Sequence, residues 1–145
     1  MTSRRQKSNP ETGDAADALS PAVEAAYTAM RDFGLGLPET REDFPWGESA
    51  LKVRKKVFVF MGHGGPHLGF SVKLPDSGAD VLCMPFATPT GYGLGRAGWV
   101  SFRFEPETLP DVQDLIEWVE ESYRAVAPKT LVRALDQQQK ATAQS

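Results

Sequence analysis

The sequence predicts an α+β fold of two layers, an antiparallel sheet covered on one face by helices, and three observations carry that prediction. Residues 68–74 and 99–104 alternate apolar and polar side chains with the two-residue period of half-buried strands. The apolar segments 51–53, 57–61 and 68–74 follow one another through short polar or glycine-rich connections, as hairpin-linked strands do. Helical periodicity then brackets this β-rich middle at residues 21–33 and 110–126. Hairpin-linked strands with helices at both ends leave one sheet face covered and the other facing water.

The elements follow in order. Residues 1–19 are polar and predict a flexible arm, and residues 20–136 form a single domain ahead of a flexible tail, 137–145. Ser20-Pro21 supplies a cap residue and a proline at the first helical position, where a missing N–H costs nothing. Val23, Ala26, Tyr27 and Met30 form its apolar stripe, and Gly34, Gly36 and Pro38 stop the helix. Arg54 and Lys55 connect two strands, and the glycines of residues 62–66 make a pliable turn before the third. A short helix after Pro75 would turn Ala79, Leu82 and Cys83 inward, with Cys83 packed as a small hydrophobe. A brief strand is expected within residues 86–92, inside a loop-rich stretch that runs to Gly98. Val112, Leu115, Ile116, Val119, Tyr123 and Val126 make the strongest helical stripe in the chain. Pro128 ends that helix, and Leu131, Val132 and Leu135 suggest a short last one.

Composition narrows the function classes. The chain has 145 residues, one cysteine and a net charge of −3. Cys83 has no partner for an internal disulfide, no apolar stretch follows Arg4 and Arg5, and the longest apolar run is far below a membrane span. A cytoplasmic protein with no membrane association is the expectation. Charge is uneven: residues 51–104 hold seven cations against two carboxylates, while both flanking stretches are acidic. The acidic total opposes non-specific attraction to nucleic acid, whereas a central cluster could make a local footprint.

No constellation predicts an enzyme, a metal site or a cofactor. His63 and His67 are four apart, but Gly-Gly-Pro between them forbids a helix. Cys83 has no assured base. The run Gly91-Tyr92-Gly93-Leu94-Gly95-Arg96 lacks the Lys-Ser/Thr ending of a phosphate loop. The carboxylate pairs Glu42-Asp43 and Glu120-Glu121 fall on segments read as exposed. Alternation instead places Lys52, Ser71, Lys73, Trp99, Ser101 and Arg103 on the uncovered sheet face.

Several pieces occur in a recognisable order: Glu42-Asp43-Phe44-Pro45-Trp46-Gly47, Leu51-Lys52-Val53, Lys56-Val57-Phe58, Ser71-Val72-Lys73-Leu74-Pro75, Gly98-Trp99-Val100 and the run from Ser122 to Lys129. Over residues 22–132 the chain resembles the MmcQ/YjbR family of small bacterial proteins, with a longer glycine-rich turn at 62–66. The resemblance implies a secretion-chaperone-like fold, α-β(3)-α-β(2)-α, and a "double wing" DNA-binding protein, a label that rests on fold similarity. The positions that match are Trp46, Lys52, Lys73 and Trp99. DNA is the expected partner: Lys52, Lys73, Arg103, Arg54, Lys55, Lys56 and Arg96 meet phosphates, and Trp99, Trp46 or Tyr92 contacts bases. Two alternatives stay open. One is a protein- or peptide-binding module, or a homodimer, using Trp46, Trp99 and a strand edge. The other is a small-anion pocket built from Lys52, Lys73 and Trp99.

Overall fold

The computed structural model describes residues 20–44, 48–62 and 66–143. Helix α1 (Pro21–Leu35) begins at Ser20, whose hydroxyl accepts from the Val23 N–H. Then come β1 (Thr40–Asp43), β2 (Ser49–Val53), β3 (Lys56–Met61) and β4 (Leu68–Lys73). A single helical turn, α2 (Gly78–Val81), leads to β5 (Ala87–Pro89) and β6 (Trp99–Phe104). Two helices close the chain, α3 (Val112–Val126) and α4 (Lys129–Ala143). The six strands form one antiparallel sheet in the order β1-β2-β3-β4-β6-β5. The α+β expectation therefore holds. Among the described residues no helix is long and apolar enough to cross a membrane.

Helices α1 and α3 pack on one sheet face. Their apolar stripes meet Leu51, Val59, Met61, Leu68, Phe70 and Val72, all buried. Gly34 permits the closest approach, because a Cβ there would lie 2.5 Å from Leu51 Cδ1. An aromatic cluster fills the β4–β6 side, with Trp118 stacked on Phe102 at 4.4 Å and Phe70 on Phe102 at 4.8 Å.

Between β2 and β3 the register slips. Leu51 faces Val59 and Lys52 faces Val57, so Phe58 is an unpaired bulge residue. It turns inward to meet Tyr123 edge-on, 5.4 Å between centroids. Buried Ser122 of α3 ties this residue to β4: its hydroxyl donates to Phe58 O at 2.5 Å and accepts from the Lys73 N–H at 2.8 Å. Helix α3 thus bridges β3 and β4 where their own pairing stops.

Several local expectations need correction. Strand β1 has no sequence signature, because Thr-Arg-Glu-Asp carries no apolar alternation; its pairing with β2 makes it a strand. In α2 the inward residues are Gly78 and Val81, while Ala79, Leu82 and Cys83 are exposed. A four-residue helix is too short for periodicity to fix its face. Helix α4 runs to Ala143, well past Leu135. The Glu42 side chain is only 9% exposed rather than on an open segment: it accepts from Arg31 Nε at 2.8 Å and from the Ser49 hydroxyl at 2.6 Å. Glu121 is likewise engaged, accepting from the Asp76 and Ser77 N–H groups and the Ser77 hydroxyl.

Candidate nucleic-acid interface

Cross-strand register defines the outward face. Lys73 lies opposite Trp99, Ser71 opposite Ser101, Gly69 opposite Arg103, and Phe60 opposite Ser71. Lys52 faces Val57 on the same side. The six outward positions read from alternation thus share one face, opposite the packed stripes of α1 and α3, and Ala125 and Val126 at the end of α3 reach round to line the slot beside Lys73 and Trp99.

Sharing a face does not leave them equally free. The Lys52 ammonium is 2.9 Å from Asp43 Oδ2 and holds that carboxyl below the usual carboxylate range. Arg54 grips Glu39 through Nε at 2.9 Å and Nη2 at 3.4 Å, and its N–H donates to the Glu39 carbonyl. Both residues are left-handed, with φ of 56° at Glu39 and 55° at Arg54. That bidentate contact keeps the Glu39 carboxyl low and the Arg54 guanidinium high. Arg103 Nε lies 3.2 Å from Glu105. The hydroxyls are satisfied internally, since Ser71 and Ser101 bond at 2.7 Å and Thr90 bonds Ser101 at 2.9 Å.

Among the described residues, Lys55, Lys56, Lys73 and Arg96 carry no ion pair. They come from the β2–β3 turn, the end of β4 and the loop before β6, which antiparallel pairing brings to the same end of the sheet. Arg103 points to the other end, four residues along β6, roughly 13 Å away at about 3.3 Å per residue. The cationic site is therefore one rim of the sheet rather than its whole outer face.

The aromatic residues divide in the same way. Trp99 is outward but only 8% exposed, with its ring 5.5 Å from Phe60. Leu94, from the loop before β6, lines the same 340 Å³ slot as Lys56, Lys73, Phe60 and Trp99. An indole enclosed in this way has little free face for a base. Tyr92 is the opposite: fully exposed, at φ 59°, followed by Gly93 at φ 80° in a mirror-image turn closed by Leu94 N–H to Gly91 O. A bulky residue in that region is strained by about 1–2 kcal/mol. Trp46 lies outside the described residues.

Sequence reasoning missed the residues that decide which cations are free: Glu39, Asp43 and Glu105 as neutralising partners, and Leu94 and Phe60 as the enclosure of Trp99. Glu105 was within reach of the Arg103-x-Glu105 spacing at the end of a strand. The other two carboxylates required knowing of β1.

None of the curated proteins matches the chain. A family model described as YjbR matches residues 35–125, from the end of α1 through nearly all of α3. That span covers all six strands and more than half of the sequence, and the chain belongs to the YjbR family.

Proposed function

We propose that this protein binds DNA, without catalysis, through the rim of the sheet that carries the β2–β3 turn and the loop of residues 91–98. The observation that supports this most is the gathering of Lys55, Lys56, Lys73 and Arg96, unpaired among the described residues, at one end of the sheet. Phosphate contacts require unneutralised cations, and a polyanion gathers several at once. The two projecting segments flank the exit of β4, so a strand of phosphates lying across the rim meets Lys73 between them. Tyr92 adds an aromatic face with no protein contact to give up. Its strained turn fits a residue held out for a ligand. The family's double-wing resemblance points the same way.

Salt-titrated fluorescence anisotropy with duplex and single-stranded oligonucleotides tests the reading. Four phosphate contacts give a log–log salt slope of about −3.6 on duplex DNA, and each lost contact lowers it by about 1. Lys73→Ala and Lys56→Ala should each reduce the slope by that step. Lys52→Ala, Arg54→Ala and Arg103→Ala should change it little, since these cations already have carboxylate partners. Binding insensitive to salt, or none in dilute buffer, would overturn the proposal.

A further inference from the structure

We propose a second binding site, for a small amphiphilic anion: an apolar or aromatic body carrying one carboxylate, sulfonate or phosphate. The site is a cavity of about 510 Å³ between the β2–β3 turn and the α3–α4 junction. Its apolar lining is Val53, Val126, Ala127 and the exposed Pro128, and its cationic lining is Arg54, Lys55, Lys56 and Lys129. The volume lies within the usual range for organic ligands.

Charge complementarity selects the occupant. Among the described residues Lys55, Lys56 and Lys129 have no ion pair, while Arg54 is fixed as a wall by Glu39. A nucleic-acid backbone or an inorganic anion would answer these cations but leave the apolar lining wet. A neutral apolar molecule would cover that lining and leave like charges crowded around it. An anion with an apolar body satisfies both, its head at the lysines and its body on Val126, Ala127 and Pro128. The slot beside Trp99 shares Lys56 and Val126 with this cavity, so a longer body has somewhere to extend.

The site shares Lys55 and Lys56 with the rim proposed to meet DNA but does not rest on that reading. The probe is 8-anilinonaphthalene-1-sulfonate, an aromatic sulfonate, titrated into the folded full-length chain and followed by fluorescence and calorimetry. Saturable one-to-one binding is expected, with a rise in melting temperature that separates it from dye uptake by unfolded chains. Lys129→Glu in the cationic lining and Ala127→Glu in the apolar lining should each weaken it by about tenfold or more, while Lys73→Ala changes it less than about twofold. The uncharged N-phenyl-1-naphthylamine should bind about tenfold more weakly, and sulfate should not compete at equal concentration. Should Ala127→Glu fail to fold, Lys129→Glu and the uncharged probe still decide the matter. Absence of saturable binding, equal affinity for the charged and uncharged probes, or loss through Lys73 rather than Lys129 would overturn the assignment. An oligonucleotide that fails to bind would bear on the rim alone.

Discussion

Ser122 shows how one hydroxyl can govern the site from the opposite face. It lies at 0% exposure, bridging the Phe58 carbonyl and the Lys73 N–H across the place where β3 and β4 stop pairing. Removing it takes the partner from the buried Phe58 carbonyl, which costs about 1–3 kcal/mol when unsatisfied, and from the half-buried Lys73 N–H, which costs less. Ser122→Ala should therefore lower unfolding free energy by about 2–3 kcal/mol, read from urea midpoints; a loss under about 0.5 would contradict the bridge. The same residue shows a limit of sequence reading. Ser122 sits one position before Tyr123 in the apolar stripe and carries no sign that its hydroxyl will bridge β3 and β4. Alternation gave the outward direction of Lys73 and Trp99 correctly. The enclosure of Trp99 depends on Leu94, five residues away in a loop without periodicity.

At the scale of elements, β1 is held by charge more than by apolar burial. Two ion pairs hold it beside β2: Asp43 of β1 with Lys52 of β2, and Glu39 just before β1 with Arg54 just after β2. Both carboxyls are held below their unfolded values by these contacts. Their stabilisation is thus present above the unfolded carboxylate range and fades as pH falls through the depressed folded values. Glu39→Gln with Asp43→Asn should flatten the acid limb of a melting-temperature profile below about pH 4. An unchanged profile would show the pairs to be idle. At the other terminus, α4 buries Leu131 and Leu135 and exposes nearly everything beyond. Leu135→Ala should cost about 2–4 kcal/mol, whereas deleting residues 138–145, where Gln139 meets Arg124 on the surface, should cost under about 1 kcal/mol; calorimetric melting compares the two. Long, strongly periodic elements such as α3 and β4 were legible from their residues. Strand β1 and the face of α2 were not, because pairing and packing alone define them.

For the whole molecule, electrostatics oppose and select at once. A net charge of −3 repels a polyanion at distance, and α3 adds Glu117, Glu120 and Glu121 beside Asp76 along one groove. The free cations of the sheet rim must act locally against that background. Glu117→Gln should strengthen oligonucleotide binding at about 10 mM salt, where charges act over about 30 Å, and lose its effect near 0.15 M, where the range is about 8 Å. An effect that persists at high salt would place Glu117 in direct contact instead. The ends of the sheet have a further consequence. Its last strands are the three-residue β5, which ends on Pro89, and the charged four-residue β1. Neither offers a long, flat template, so growth by edge-to-edge stacking into fibrils is disfavoured even when the chain is concentrated.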